Sequence, residues 1–237
     1  MKRTILLTVL GLTLGLGTAW ATIVGTTNPN AFTQDSINWC QYGCSFAGLG
    51  SSPRPWVSNG GATGTVGLHT GGLQAFFSNP QQGNSWIGNF PDGMGLIYNG
   101  FVFDGIPAGI VLTFASGLAG VGAYIQADKF GPFSATITLF DQNNNSLGSF
   151  TANGVSNANV GTALFIGASS STVAVYAAQF DVVDVNGNND FAIGTVNFNP
   201  IPEPSSVLLF GSSALGMASV VRRRFNKGAL MTLRKSC

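Results

Sequence analysis

Charged residues are scarce in this chain of 237 residues, making up only 8% of the sequence. Soluble globular chains usually carry about 25%. The scarcity excludes a coiled coil or a charge-rich disordered chain, because both need many charged side chains. Hydrophobic residues, at 45% with eighteen Phe, supply enough apolar surface for a core. The length indicates one domain with additional segments.

The few charges are segregated along the chain. Basic residues cluster at its two ends, and each cluster adjoins an apolar run. Residues 22–200 contain two basic side chains, Arg54 and Lys129, against eight Asp, which gives a net charge of −6. Phosphate recognition needs a cationic face, so this acidic body is not expected to bind nucleic acid.

Catalytic signatures are also lacking. Residues 22–200 contain one His, His69, and no Glu, which excludes a paired-Glu glycosidase but leaves an Asp pair open. The chain has no G-x-S-x-G elbow, no H-E-x-x-H helix and no G-x-x-x-x-G-K-[ST] loop. A lone His more often lies on a strand surface than in a triad. We therefore predict a protein that is not an enzyme, with a secreted Asp-dependent hydrolase as the alternative.

The N-terminus follows the order of a secretory signal peptide. Lys2 and Arg3 precede the apolar run Ile5–Gly17, and Ala19 and Ala21 occupy the −3 and −1 positions of a cleavage site. An uncleaved membrane anchor is the alternative, but the apolar run is too short to span a bilayer. The pattern predicts a signal peptide over residues 1–21, cleaved by signal peptidase after Ala21.

The other apolar run, Ser205–Val221, contains no charge over its 17 residues. As a helix it would be about 25 Å long, enough for a thin or locally adapted bilayer. Pro202 and Pro204 suit the start of such a helix. The basic residues that follow should stay cytoplasmic by the positive-inside rule. This predicts a transmembrane helix with a cytoplasmic tail over residues 226–237; a buried helix of the globular domain is the alternative.

Three features in sequence order carry a resemblance to a known family. The hydrophobic-P-E-P element, the apolar helix and the Arg cluster over residues 201–225 resemble the PEP-CTERM sorting signal, a tail also named the ice-binding protein C-terminal domain. The residues are Pro202, Glu203, Pro204, Arg222, Arg223 and Arg224. The body shows no flat Thr-x-Thr array that would support ice binding.

The resemblance implies export by a Gram-negative bacterium and recognition of the tail by a membrane exosortase. Glu203 and its flanking prolines would be the recognised element, the Arg cluster would hold the helix in orientation, and cleavage near Pro202–Pro204 would follow. It also implies transient anchoring in the inner membrane and release to the cell surface or the exopolysaccharide matrix of a biofilm. Residues Phe225–Cys237 run longer than is usual after such an Arg cluster.

Short segments rich in β-branched and aromatic residues dominate residues 22–200. They predict an all-β fold, an antiparallel β-sandwich of jelly-roll type, with residues 22–62 wrapped around it. In Phe133–Phe140 alternate residues are apolar, and Asp141–Asn145 and Val185–Asn189 are polar turns. The candidate strands are Val66–His69, Leu73–Phe77, Leu96–Phe103, Ile110–Ala115, Gly122–Gln126, Phe133–Phe140, Ser146–Thr151, Ala163–Ile166, Val173–Val182 and Phe191–Phe198.

The body also resembles an uncharacterised ectodomain type that occurs beside PEP-CTERM tails. The segments that carry this resemblance are Gln81–Phe90, Gly120–Asp141 and Asp190–Ile193. It implies a location outside the cell and no particular activity.

Two short groups of residues suggest local stabilising sites, a disulfide and a calcium-binding loop. Cys40 and Cys44, spaced C-x3-C in an exported segment, predict a disulfide rather than the C-x-x-C of a redox site or the C-x-x-C-H of a haem site. The oxygen-bearing residues Asp184, Asn186, Asn188 and Asp190 alternate along a loop and suit a structural calcium ion. The loop fails the EF-hand pattern, and an ordinary hairpin turn is the alternative. No other cofactor is predicted.

Aromatic side chains provide candidate platforms for stacking on sugars, with core packing as the alternative. Trp56, in a polar Pro-rich loop, is expected to be the most exposed; the others are Trp39, Trp86, Tyr42 and Tyr98. The sequence therefore predicts a non-enzymatic, exported surface or matrix protein. A lectin-like carbohydrate-binding module, with extracellular polysaccharide as partner, is the alternative.

Overall fold

The structure is a computed structural model that describes residues 22–50, 52–69, 76–101 and 109–201. The predicted signal peptide and the predicted sorting helix lie outside the described residues. Within the described ranges, no helix is long and apolar enough to cross a membrane.

The described residues form thirteen strands. The first seven are β1 Ile23–Thr26, β2 Asp35–Ile37, β3 Ala47–Gly50, β4 Arg54–Val57, β5 Thr63–His69, β6 Phe76–Asn79 and β7 Ile97–Phe101. The other six are β8 Gly109–Ala127, β9 Gly131–Phe140, β10 Ser146–Ser156, β11 Leu164–Ser170, β12 Val175–Asp184 and β13 Phe191–Pro200. Two short 3-10 turns, Pro29–Ala31 and Trp39–Tyr42, flank β2.

The predicted all-β, antiparallel fold is confirmed, since every pairing between named strands is antiparallel. Two details differ from the prediction. Residues 22–62 contribute four strands of their own, and the two strands predicted within residues 110–126 are one continuous strand, β8. The more specific jelly-roll topology stays a prediction.

The 19-residue β8 organises the sheet. Its first half pairs with β12 on one side and β5 on the other, which makes a first arm in the order β10-β9-β12-β8-β5-β4. Its second half pairs with β11 and β13, which makes a second arm that continues to β1 beyond β11 and to β2, β7, β6 and β3 beyond β13.

The main core lies between the two arms. Alternate residues of β9, including Ile137, are fully buried, as the apolar alternation predicts. Ile137 and Phe180 from the first arm join Ile166 and Phe198 from the second arm in one apolar cluster. Burial of each such side chain contributes about 1.5–3 kcal/mol before the entropy cost of ordering it.

A second apolar cluster lies on the outer face of the second arm, where the segment 80–96 covers the sheet. Trp86 and Phe90 of this segment pack on Tyr98 and Ala192. The Trp86 and Tyr98 rings meet edge to face, with centroids 4.9 Å apart. Because Ile97 and Ile193 point into the main core, their neighbours Tyr98 and Ala192 point outward. The segment 80–96 thus forms one wall of the outer surface described below.

Candidate functional site

Trp56 lies in the core, and the prediction that it is exposed is wrong. Its side chain is 1% exposed. The ring meets Phe114 edge-on at 5.6 Å and lies 6.2 Å from Phe198. The polar residues before it form the start of β4, and strand alternation turns Trp56 inward while Pro55 and Val57 remain exposed. A side chain in this position cannot stack on a sugar.

The other candidate aromatic platforms also pack inside the protein. Trp39, Trp86 and Tyr98 are buried. Trp39 donates its indole N–H to the carbonyl of Gly194 at 2.8 Å. Tyr42 is half-buried and donates its hydroxyl to the carbonyl of Pro55 at 2.9 Å. Burial raises the pKa of Tyr42 to about 12, against a smaller lowering by Arg54. Core packing accounts for all of these residues.

Cys40 and Cys44 form a disulfide, with their Cα atoms 4.6 Å apart. The backbone N–H of Cys44 donates to Asn79 Oδ1 at 2.7 Å, and Asn79 Nδ2 donates to the carbonyl of Leu96 at 2.7 Å. A Cβ atom added at Gly95 would lie within 2.9 Å of both sulfur atoms. The crosslink therefore packs tightly against the segment 80–96.

The residues considered for calcium lie at the hairpin between β12 and β13. Asp184 Oδ1 accepts from the backbone N–H groups of Asn186 at 2.7 Å and Asn188 at 2.9 Å. Asp184 Oδ2 accepts from Asn188 Nδ2 at 2.9 Å. Gly187, at φ +82°, supplies the left-handed residue of the turn. Asp190 follows this turn, and its carbonyl accepts from the N–H of Asp128 at 2.9 Å. Both carboxylate oxygens of Asp184 thus close the turn itself.

The hairpin between β9 and β10 repeats this arrangement. Asp141 Oδ1 accepts from the N–H groups of Asn143 and Asn145, and Asp141 Oδ2 accepts from Asn145 Nδ2 at 3.0 Å. Asn144, at φ 62°, occupies the position of Gly187. Turn closure therefore explains the D-x-N-[G/N]-N pattern at both hairpins. No group of three His, Cys, Asp or Glu residues converges within the described ranges, and calcium binding at Asp184 stays a prediction.

We expect Asp184→Ala to lower the free energy of unfolding by about 2 kcal/mol at pH 7, because it removes the acceptor of three part-buried hydrogen bonds that close the turn. Burial raises the pKa of Asp184, but the hydrogen bonds from Asn188 and Asn186 and the charge of Lys129 outweigh it, so the pKa lies below its ordinary value. The carboxylate therefore stabilises the fold above the unfolded pKa of about 3.9, and this contribution is lost as pH falls through the folded pKa. Urea unfolding at pH 7 and pH 3 measures the difference.

Asp141→Ala is the matched control, because the same bonds close a more exposed turn; its cost should be smaller, at most about 1 kcal/mol. Equal costs for the two substitutions would contradict the role of burial. Thermal unfolding with added calcium or with a chelator tests whether this turn binds calcium. A melting temperature that rises with calcium in the wild type and not in Asp184→Ala would support a bound ion.

His69 lies exposed at the end of β5, opposite Gly109 in the register. Asp181 on β12 interacts electrostatically with His69. Burial raises the pKa of Asp181, against smaller lowering effects of the Gln179 hydrogen bond and of His69. Gln179 Nε2 donates to both oxygens of Asp181, at 3.1 and 2.9 Å. This is a half-buried carboxylate held by a neighbouring amide, and it offers no support for a hydrolytic site.

The outer face of the first arm carries hydroxyl side chains that are paired across neighbouring strands. Three cross-strand pairs share hydrogen bonds of 2.7–2.8 Å. The pairs are Thr65 with Thr113, Thr136 with Thr151, and Thr138 with Ser149. These pairs join β5 to β8 and β9 to β10, as the strand register places them opposite one another. Such pairs stabilise a sheet by roughly 0.2–1 kcal/mol each.

A polar groove, here called the polar trough, crosses the outer face of the second arm. Its larger part, about 490 Å³, is lined by the segment Pro29–Ser36, the turn Asn59–Gly60, Tyr124 and Asn197. Its smaller part, about 280 Å³, shares Ser36 and Asn59 and extends to Thr195 and the segment 91–95. The two parts adjoin at Ser36 and Asn59, and both include amide and hydroxyl side chains in their lining.

Hydrogen bonds fix the walls of the polar trough. Asp35 Oδ1 accepts from the N–H groups of Ser36 and Gly60, both at 2.7 Å, and Asp35 Oδ2 accepts from the Ser58 hydroxyl. Asn59 Nδ2 donates to the Ser36 hydroxyl at 2.8 Å. The β4–β5 turn is thereby tied to β2, and the carboxylate of Asp35 positions the wall.

The segment before β2, which also lines the trough, depends on Asn199. Its Oδ1 accepts from the N–H groups of Thr33 and Gln34, at 3.2 and 3.3 Å, and its Nδ2 donates to the carbonyl of Ala31 at 3.0 Å. Sequence reasoning missed this site and expected residues 22–62 only to wrap the sheet. The density of amides and hydroxyls over residues 26–38 is the signal that could have indicated it.

Comparisons with known proteins concern the tail and the body separately. No curated protein matches the chain. A DUF4465 family protein from Bacteroides caccae has 13% identity and a TM-score of 0.36, covering 75% of this chain and 100% of its own. The enzymatically active domain of bacteriophage CBA120 tailspike protein 4 has 16% identity and a TM-score of 0.28, covering 56% of this chain and 18% of its own. At these TM-scores neither neighbour contributes to the functional argument.

The predicted processing residues Ala19, Ala21, Glu203 and Arg222–Arg224 lie outside the described residues. The comparison with protein families covers the C-terminal residues of this set, Glu203 and Arg222–Arg224. Residues 200–224 match the PEP-CTERM protein-sorting motif, and this match covers the P-E-P element and the Arg cluster. The motif implies an exported protein that an exosortase processes after membrane anchoring. The chain therefore carries, over residues 200–224, a PEP-CTERM protein-sorting motif.

Proposed function

We propose that this protein is exported by a Gram-negative bacterium and released by an exosortase to the cell surface or the exopolysaccharide matrix, where its β-sheet body has a structural or binding role. The observation that carries the proposal is the sorting motif at residues 200–224. A non-enzymatic role is supported by the carboxylates that hold the fold: Asp35, Asp141, Asp181 and Asp184 accept hydrogen bonds from neighbouring turns or side chains.

The position of the motif relative to the sheet supports release of an intact body. The last described strand, β13, ends at Pro200, and the N–H of Ile201 donates to the carbonyl of Gly117 at 3.3 Å. Cleavage near Pro202–Pro204 would therefore leave every described strand in place. Cleavage after Ala21 would likewise fall just before β1, which begins at Ile23 and pairs with β11.

Mass spectrometry of the exported protein tests this proposal directly. We expect the mature N-terminus at Thr22 and the mature C-terminus near Pro202–Pro204. Matched analysis of the cell-associated precursor provides the control, because it should still contain the sequence up to Cys237. An exported protein that retains Arg222–Arg224 would contradict exosortase processing.

A second candidate function is lectin-like carbohydrate binding, and the polar trough is the observation that favours it. Sugar-binding sites combine a concave surface with a few oriented hydrogen-bonding groups and an aromatic ring. The trough provides amides, hydroxyls and the half-buried Tyr124 in one depression. Binding of the exported protein to an immobilised polysaccharide panel tests this function; silence across the panel would remove it.

A further inference from the structure

We propose that the polar trough binds a strand of uncharged polysaccharide along its length. This inference rests on the lectin-like candidate function and assigns it a place and a ligand class. It replaces the buried Trp56 with a different set of residues, centred on Gln34, Asn59, Tyr124 and Asn197.

The first argument is hydrogen-bonding capacity. No hydrogen bond within the described part of the chain engages the side-chain amides of Asn30, Gln34 or Asn197, although all three line the trough. An amide offers both a donor and an acceptor, which matches the paired donor and acceptor character of sugar hydroxyls. The trough therefore presents unused groups of both kinds to a ligand.

The second argument is charge. Among the residues that the structure describes, the trough is lined by two carboxylates, Asp35 and Asp92, and by no Lys or Arg. Residues 22–200 carry a net charge of −6. This negatively charged surface would repel anionic polysaccharides, whereas an uncharged polysaccharide meets no electrostatic repulsion. The charge pattern thus selects a neutral glycan.

The third argument is shape and rigidity. The two parts of the trough adjoin at Ser36 and Asn59, so an extended strand that follows both would meet residues from Gln34 to Thr195. Asp35 and Asn199 hold the lining residues from Thr33 to Ser36 and Gly60 in place before any ligand arrives. Tyr124 is held edge to face against Phe165, with centroids 5.3 Å apart. Such preorganisation reduces the entropy cost of binding.

The experiment compares the exported wild-type protein with Gln34→Ala, Asn197→Ala and the double variant. Binding to dextran, galactomannan and the anionic polymer alginate is measured by affinity electrophoresis. We expect the wild type to bind at least one neutral polymer, and the double variant to bind it at least about tenfold more weakly, through loss of two polar contacts. Asn153→Ala, an exposed amide on the outer face of β10, is the matched control and should bind as the wild type does.

The outcomes separate the site from the function. If a neutral polymer binds equally to all variants, the trough is not the site, although the lectin-like function stands. If no polymer binds to the wild type, the lectin-like function itself fails. Preference for alginate would overturn the assignment of an uncharged ligand. Thermal unfolding of each variant ensures that lost binding is not lost folding.

Discussion

Replacement of Trp56 by Ala should destabilise the protein by about 3–5 kcal/mol, the range observed for loss of a large aromatic side chain from a packed core. Trp56 is 1% exposed and links the two arms, because its ring contacts Phe114 of β8 and Phe198 of β13. The cavity left by Ala would lie at this contact between the two arms, beside the Phe114 and Phe198 rings. Urea-induced unfolding, followed by tryptophan fluorescence and by circular dichroism, measures the loss.

Two control variants sharpen this prediction. The Trp56 indole N–H has no hydrogen-bond partner in the described structure, so Trp56→Phe removes volume without removing a bond and should cost less than Trp56→Ala. Val57→Ala alters the adjacent residue, which is 56% exposed, and should change stability by less than about 0.5 kcal/mol. A stable Trp56→Ala variant that loses only polysaccharide binding would show that the side chain is a surface platform after all.

The same strand shows why exposure could not be predicted from sequence. The segment before Trp56 is polar and contains two prolines, which indicates a loop when it is considered alone. In the structure it forms β4, paired with β5, and the alternation of the strand buries one residue in two. Gly64 on β5 permits this burial, since a Cβ atom there would lie 2.4 Å from the Trp56 ring. The pairing partner, and not the local composition, determines which side chain is inside.

Glycine explains the largest error in the predicted strands. The predicted strands Ile110–Ala115 and Gly122–Gln126 leave a gap that contains Gly117 and Gly120, yet Gly117, Gly120 and Gly122 all lie within β8 and none has a positive φ. A Cβ atom at Gly120 would meet the Phe32 ring at 2.6 Å, and one at Gly122 would meet Phe165 at 2.5 Å. These glycines allow other elements to approach the strand closely. The sequence shows a glycine but does not show which neighbour requires it.

The candidate sites also differ in how far the sequence predicts them: sites made of contiguous residues could be identified, and a site assembled from distant residues could not. The sorting motif could be identified from the sequence because its three parts are contiguous and their order is informative. The hairpin pattern around Asp184 is also local, and the structure reproduces it at Asp141. The polar trough could not be predicted, since Gln34, Asn59 and Asn197 become neighbours only through the pairing of β2 with β13 and the attachment of the β4–β5 turn to β2.

The second large effect concerns the sorting motif. We expect Glu203→Ala combined with deletion of Arg222–Arg224 to abolish C-terminal processing and surface release. The deletion removes the positive charges that keep the C-terminal end of the apolar helix on the cytoplasmic side. The substitution removes the only Glu of the chain from the recognised P-E-P element. The body should still be exported and folded, since every described strand ends by Pro200. Immunoblots of membrane, surface and medium fractions, with the C-terminal mass, measure the result.

Substitution of Arg234 and Lys235 by Ala provides the matched control. It removes basic residues from the same tail but lies outside the matched residues 200–224, and it should leave processing unchanged. Single variants then separate the two functions of the motif: Glu203→Ala alone should leave an anchored, uncleaved protein, whereas deletion of the Arg cluster alone should weaken membrane orientation. If the combined variant is processed and released as efficiently as the wild type, the tail does not act as a sorting signal, and the match at residues 200–224 does not reflect its function.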